Sequence, residues 1–154
     1  MTEQEYQKLI PEIMTANDGK PLSAELWLDW IGCPSHAIAY STLFWPEFIE
    51  YEGCVFRGLE VPSTYKEWQN KYNNSICDIE CMLNHTHISD LFNSKEWAPE
   101  QILFIGKKLK EAWTAKLKID FPDKIFQVEF DDNFDFEVDN LSITFYQKEN
   151  LKNK

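Results

Sequence analysis

Two cysteines and a histidine in the middle of the chain are spaced four residues apart and could together bind a metal ion. Cys77, Cys81 and His85 would lie on one face of a helix predicted from Ser75 to Phe92. Thiolate and imidazole groups are the usual protein ligands of zinc. The same face continues into apolar residues, and the chain has neither a C-x-x-C nor an H-E-x-x-H motif. We therefore interpret these residues as part of the core, and we expect no metal or other cofactor.

The pair His85 and His87 is a candidate for acid–base catalysis because the pKa of a free imidazole is close to neutral. On a helix, however, residues two positions apart point in different directions. We expect His85 on the apolar side and His87 on a more polar side, and we assign no catalytic residue. The alternative is a small enzyme or ligand-binding protein with a pocket between helices and sheet, near His85 and Cys81.

A third candidate is the stretch that starts at Asp131, which begins like a calcium-binding loop. An EF-hand loop requires glycine at its sixth position and a bidentate glutamate at its twelfth. Counted from Asp131, these positions hold Phe136 and Ser142. The residues in this stretch alternate between acidic and apolar side chains, which is typical of a strand with one exposed and one buried face. We therefore predict a strand here and not a calcium site.

The acidic side chains of this strand are the clearest charged feature of a chain whose formal net charge is -11 over 154 residues. An acidic surface can bind a basic partner, because complementary charges raise the association rate and the specificity. The same charge could instead serve only to keep the protein soluble. The residues that we predict to contact a partner are Asp131, Asp132, Asp135, Glu137 and Asp139 in the strand, together with Glu50 and Glu52 in a hairpin.

Fourteen of the fifteen basic residues are lysines, and Arg57 is the only arginine. Proteins recognise phosphates and base edges largely through arginine, and a phosphate backbone would repel an acidic protein. Both facts argue against nucleic-acid binding. The lysines concentrate in a helix predicted from Pro99 to Lys118, which carries five lysines and two glutamates. That segment therefore has a net charge of +3, which leaves -14 for the rest of the chain.

The periodicity of the apolar residues predicts an α+β fold with one globular domain over residues 1–154. We expect N-terminal and central helices packed on an antiparallel sheet, with one hairpin near residues 48–57 and a C-terminal meander near residues 124–146. Residues 148–154 are predicted to be a polar tail. The other predicted helices are Thr2–Ala16, Ser23–Trp30, Ser35–Phe44 and Ser63–Tyr72.

The four cysteines are expected to be reduced and mostly buried thiols. The first residues include neither a basic segment nor an apolar one of the kind that directs secretion, and a domain of this length needs no disulfides for stability. No apolar run approaches the roughly 20 residues needed to span a bilayer. We therefore expect a cytoplasmic protein that does not contact membranes.

In general character, this small acidic α+β chain is similar to bacterial immunity proteins, which bind and block a toxin domain. The resemblance lies in composition and charge, and not in motifs. It implies an inhibitor whose acidic surface covers the active site of a basic toxin domain, for example a nuclease. The partner that we expect is thus a basic protein, bound through the acidic residues named above.

Overall fold

The computed structural model describes residues 2–16, 18, 20, 22–92, 98–132 and 141–148. The chain divides into two compact units, residues 1–41 and residues 42–154. Within the described ranges, seven α-helices and two small antiparallel sheets form the α+β fold that the sequence predicts. The expectation of a single domain stays a prediction. No described helix is both long and apolar enough to cross a membrane.

The first unit is helical. It contains α1 (Glu3–Leu9), α2 (Glu12–Thr15), α3 (Ala24–Ile31) and the start of α4 (Pro34–Phe44). The helix predicted over Thr2–Ala16 is therefore interrupted, and the interruption falls at Pro11, which has no N–H to donate. Ser23, at the start of the helix predicted over Ser23–Trp30, caps α3: its Oγ accepts a hydrogen bond of 3.1 Å from the N–H of Leu26.

The second unit contains the strands. Its elements after α4 are β1 (Phe48–Tyr51), β2 (Cys54–Arg57), α5 (Tyr65–Lys71), α6 (Ile76–Leu83), β3 (Thr86–His87), a 3₁₀ turn (Ser89–Leu91), α7 (Pro99–Asp120), β4 (Phe126–Phe130) and β5 (Ser142–Gln147). β1 and β2 form the predicted hairpin, with φ angles of 48° at Glu52 and 85° at Gly53. Positive φ at both central residues is typical of a type I′ turn, whose twist matches that of the flanking strands.

The helix predicted over Ser75–Phe92 is wrong beyond Leu83. Its start is as expected, since the Oγ of Ser75 accepts a hydrogen bond of 3.4 Å from the N–H of Asp78. After Leu83, however, the chain turns and pairs with β5 as the short strand β3. The apolar spacing of the sequence is compatible with a helix, but pairing with a distant strand decides the structure here.

The second sheet has the strand order β3–β5–β4, and all its pairs are antiparallel. β4 and β5 correspond to the two ends of the predicted C-terminal meander. The acidic and aromatic residues 133–140 between them lie outside the described residues, so the strand predicted there stays a prediction.

The core of the second unit lies between α7 and this sheet. Leu109 and Trp113 of α7 and Phe145 of β5 are completely buried. The helix approaches the sheet closely at Gly106, where a Cβ atom would lie 2.3 Å from the ring of Phe130. Trp113 is fixed by a hydrogen bond of 2.9 Å from its Nε1–H to the carbonyl of Leu43. α7 thus packs closely against the sheet, and one buried hydrogen bond joins it to Leu43 near the end of α4.

The two sheets are joined through polar side chains of α6, the first of which is Glu80. This residue is fully buried. Its carboxylate accepts hydrogen bonds from the backbone N–H of Val55 in β2 at 2.6 Å and of Gln147 in β5 at 2.5 Å. The side-chain amide of Gln147 donates a third bond, at 2.6 Å. Burial raises the pKa of the Glu80 carboxyl, whereas the bonds from Gln147 and Val55 act in the opposite direction.

Asn84 lies one helical turn beyond Glu80 and likewise bonds to main-chain groups of both β2 and β5. Its Nδ2 donates to the carbonyl of Val55 at 2.9 Å and to that of Phe145 at 3.3 Å. Its Oδ1 accepts from the N–H of Arg57 at 3.1 Å. Together, Glu80 and Asn84 satisfy five main-chain groups of β2 and β5 that no neighbouring strand satisfies. We refer to this pair of side chains as the α6 clamp.

Replacing Glu80 with glutamine should lower the free energy of unfolding by about 1–3 kcal/mol. The glutamine amide has one acceptor oxygen where the carboxylate has two, so its NH₂ group would face one of the backbone N–H donors. Urea unfolding followed by circular dichroism measures the loss. Glu67→Gln, at an exposed carboxylate of α5, is the matched control and should change stability by less than about 0.5 kcal/mol. An E80Q protein that unfolds at the wild-type urea concentration would contradict this role of the clamp.

Candidate protein-interaction surface

The strand-end acids predicted to bind a partner are only partly within the described residues. Asp131 and Asp132 directly follow β4 and are exposed. Asp135, Glu137 and Asp139 lie outside the described residues. The backbone N–H of Asp131 still donates to the carbonyl of Ser142, at 2.9 Å. The sheet pairing therefore positions the beginning of the acidic stretch.

Glu129 is a further exposed carboxylate in this part of the chain. It lies in β4, two residues before Asp131. It accepts a hydrogen bond of 2.5 Å from the hydroxyl of Tyr146 in β5. This bond raises the pKa of Tyr146 to about 12. None of the ion pairs between described residues includes Glu129 or Asp132. The negative charge of these two side chains is thus not neutralised by a described lysine.

The hairpin acids that we predicted as contacts have a different environment. Glu50 forms an ion pair of 2.9 Å with Lys124, which follows α7. Glu52 forms one of 2.9 Å with Lys66 of α5 and also accepts hydrogen bonds from Gln69 and Tyr65. Both carboxylates are therefore already compensated within the molecule. Their role as partner contacts stays a prediction.

These contacts make the carboxyl group of Glu52 unusually acidic. Hydrogen bonds from Lys66 and Gln69 lower its pKa from 4.5 to about 2. Because the pKa is lower in the folded protein, the stabilisation by this contact is present above pH 4.5 and is lost as the pH falls towards 2.

We expect the Glu52 carboxyl carbon to titrate near pH 2 in a carbon-detected NMR experiment on the folded protein. In the Lys66→Met variant, the midpoint should move up towards 4.5, because the strongest of the lowering contacts is lost. Glu67 in the same spectra is the internal comparison. A Glu52 midpoint that is unchanged by K66M would show that Lys66 does not set it.

The positive charge of the chain is concentrated on α7, as predicted, but not all of its lysines are exposed. Lys107, Lys108, Lys110 and Lys118 are exposed, whereas Lys116 is buried. Lys116 forms an ion pair of 2.5 Å with Asp120, in the last turn of the helix. The exposed cationic surface therefore comprises four lysines, of which Lys108 also pairs with Glu111 at 2.6 Å.

The second site that the sequence indicates, around His85 and Cys81, differs from expectation. Because α6 ends at Leu83, His85 and His87 do not lie on a helix, and their rings are in contact with centroids 4.8 Å apart. The expected sides are also wrong: His85 is exposed and His87 is partly buried. Nδ1 of His87 is inaccessible and has no hydrogen-bond partner among the described residues.

Cys77 and Cys81 remain on α6, but the described residues contain no group of three or more possible ligands that could hold a metal ion. Burial raises the pKa of the Cys81 thiol, which makes it less reactive. Burial and the neighbouring His87 both lower the pKa of His85. These residues lie close together in sequence, but no described contact joins Cys81 to the histidine pair.

The thiol of Cys33 was not identified from the sequence as a candidate reactive group. All four cysteines are free thiols, but only Cys54 is buried, so the expectation of mostly buried thiols is wrong. Cys33 directly precedes α4, and its sulfur accepts hydrogen bonds from the backbone N–H groups of His36 and Ser35, which lower its pKa. Burial instead raises the pKa of Cys54 to about 11. The clue in the sequence was the position of Cys33 immediately before Pro34, a residue that favours the first turn of a helix.

We expect Cys33 to be alkylated by iodoacetamide faster than any other thiol of the folded protein, since the thiolate is the reactive form. Its rate should be half-maximal at a pH below 9.0, the ordinary value for this group. Cys54 should react only after unfolding. Mass spectrometry of peptides after brief labelling measures both rates, and labelling of Cys54 before Cys33 would contradict this assignment.

Comparison with known proteins adds no assignment for these features. The chain matches no protein-family model, no curated protein and no solved structure. The fold and the described surface define an α+β protein with a compensated acidic hairpin, a lysine-bearing helix and uncompensated carboxylates at the end of β4. Any function must follow from these residues themselves.

Proposed function

We propose that this chain is an acidic protein-binding module, and specifically an immunity-type inhibitor that neutralises a basic toxin domain by covering its surface. One observation carries the proposal. Between Lys124 and Lys148 the sequence contains six acidic residues and no basic residue. The first of these acids, Glu129 and Asp132, are exposed and form no ion pair with a described residue.

A run of acids without counter-charges is costly for a folded protein, since like charges repel each other. Three acids of the second unit differ in this respect: Glu50 and Glu52 pair with Lys124 and Lys66, and Asp120 pairs with Lys116. The contrast supports a binding role for the strand-end acids. A basic partner would supply the missing positive charge and would be attracted over a distance set by the ionic strength.

The same contrast refines the choice of contact residues. A partner that binds Glu50 or Glu52 would compete with the internal lysine and would gain less than one that binds an uncompensated carboxylate. We therefore infer that the main contact is at Glu129 and Asp132 and continues to the acids predicted beyond them. The hairpin acids would lie at the periphery of such an interface.

The second candidate function is a small enzyme or ligand-binding protein near His85 and Cys81. The observation in its favour is the inaccessible, unpartnered Nδ1 of His87 beside the ring of His85. Unsatisfied buried polar atoms are uncommon and are often found at functional sites. The raised pKa of Cys81 argues against a nucleophilic thiol there. A variant in which both histidines are replaced by glutamine would lose such a function and keep a charge-based one.

The proposed interface can be tested by reversing charge. The triple variant Glu129→Lys, Asp132→Lys, Asp135→Lys should bind a basic protein encoded beside this chain at least about tenfold more weakly at low salt, mainly through a slower association rate. The difference should shrink as salt rises and shortens the range of the charges. Surface plasmon resonance over a series of salt concentrations measures both effects.

The matched control is Glu25→Lys, Asp29→Lys, Glu67→Lys, at exposed acids of α3 and α5. This control changes the net charge by the same amount as the strand variant. It therefore distinguishes the loss of a local contact from the effect of the net charge of the protein. Equal binding by the strand variant and the wild-type protein at low salt would refute the proposed interface. Equal weakening by both variants would show that only net charge matters.

A further inference from the structure

Arg57, the only arginine of the chain, lies at the end of β2 and is partly buried. Its guanidinium carbon lies 5.3 Å from the centroid of the Trp113 ring. Nη2 donates a hydrogen bond of 3.2 Å to the hydroxyl of Thr86 in β3. A guanidinium has five N–H groups in one plane. The contacts with Trp113 and Thr86 therefore fix its plane while using one donor.

No described carboxylate forms an ion pair with this charge. The four ion pairs between described residues all use lysines, and Arg57 takes part in none of them. Burial lowers the pKa of the Arg57 guanidinium, and no neighbouring charge contributes to the shift. A partly desolvated cation without a counter-ion is unfavourable unless something pairs with it. Arg57 is thus a cation that forms no ion pair with a described carboxylate, in a protein with 26 acidic residues.

The surroundings of Arg57 are rigid. Trp113 is completely buried, and its Nε1–H is held by the carbonyl of Leu43. The backbone N–H of Arg57 is held by Asn84 of the α6 clamp. The only inaccessible side-chain nitrogen or oxygen without a partner in the described chain belongs to His87, so the guanidinium nitrogens of Arg57 that make no described hydrogen bond keep some contact with solvent. A guanidinium held in place in this way needs little reorganisation to bind a ligand.

We propose that Arg57 anchors an oxyanion-binding site that takes the carboxylate group of a ligand. Two parallel N–H groups of a guanidinium match the two oxygens of a carboxylate, and the resulting charge-assisted bonds are among the strongest in proteins. Phosphate offers the same oxygens but carries about 1.5 to 2 negative charges at neutral pH. In a chain of net charge -11, the second negative charge is unfavourable, so a monoanionic carboxylate is the better ligand. The site is independent of the acidic interface.

The test is a titration of the ¹⁵N-labelled full chain with sodium acetate, at constant ionic strength maintained with sodium chloride. We expect saturable shifts of the Arg57 Nε–H and Trp113 indole resonances, with a Kd in the millimolar range. Sodium phosphate in a parallel titration should bind more weakly. Absence of saturable shifts with acetate would overturn the site, and tighter binding of phosphate would overturn the choice of ligand.

Two variants separate the guanidinium fork from charge alone. Arg57→Lys keeps the charge and loses the fork, and Arg57→Met removes both, so each should weaken acetate binding by about tenfold or more. Lys66→Met removes one positive charge from an exposed site and should stay within about twofold of the wild type. If R57K binds acetate with the affinity of the wild-type protein, the guanidinium fork has no role in binding. A loss in K66M equal to that in R57M would show a general charge effect. If R57M does not fold, the acetate titrations of R57K and of the wild-type protein still test the proposed site.

Discussion

The second unit depends on the α6 clamp, in which two side chains of one short helix take the place of a strand. Glu80 and Asn84 bond to main-chain groups of β2 on one side and of β5 on the other. The two sheets are therefore parts of one hydrogen-bonded layer, although no strand connects them directly. Burying a carboxylate is unfavourable in itself. Here the cost is offset because each oxygen of Glu80 accepts at least one hydrogen bond.

The clamp also links the features with possible functional roles. Asn84 holds the backbone of Arg57 and is followed directly by the exposed His85 and by β3, which contains the partly buried His87. Gln147, bound to Glu80, also donates to the carbonyl of Gly53 in the hairpin turn, at 2.8 Å. The positions of Arg57 and of the hairpin turn are thus tied to the same pair of side chains. A buried polar network, and not apolar packing alone, therefore fixes the positions of these groups.

Local rules in the sequence predicted much of the fold. The caps Ser23 and Ser75, the start of α7 at Pro99 and the turn at Gly53 follow from side-chain or backbone preferences of single residues. The end of α6 could not be predicted in this way, because β3 exists only by pairing with a strand that comes much later in the chain. Glu80 could not be recognised either. In the sequence it is one acid among many, and its burial depends on contacts with two distant strands.

The candidate site was predictable to a similar extent. The acidic character of the chain after β4 is evident from composition, and the exposure of Asp132 agrees with it. Which acids are compensated was not predictable, since the lysine that pairs with Glu50 lies in a distant part of the chain. The isolation of Arg57 from any carboxylate is likewise a property of the folded molecule.

The α6 clamp has a consequence for how this protein would aggregate. Strand edges with unpaired main-chain groups are templates on which another chain can add a strand. A single helix of eight residues, Ile76–Leu83, covers such edges of both β2 and β5 together with Asn84 directly after it. Detachment of this one segment would open two edges at once while leaving the apolar core of α7 and the sheet in place. A partly opened molecule of this kind could join two neighbours and so propagate a chain of copies, whereas a protein with a single open edge would stop at a pair.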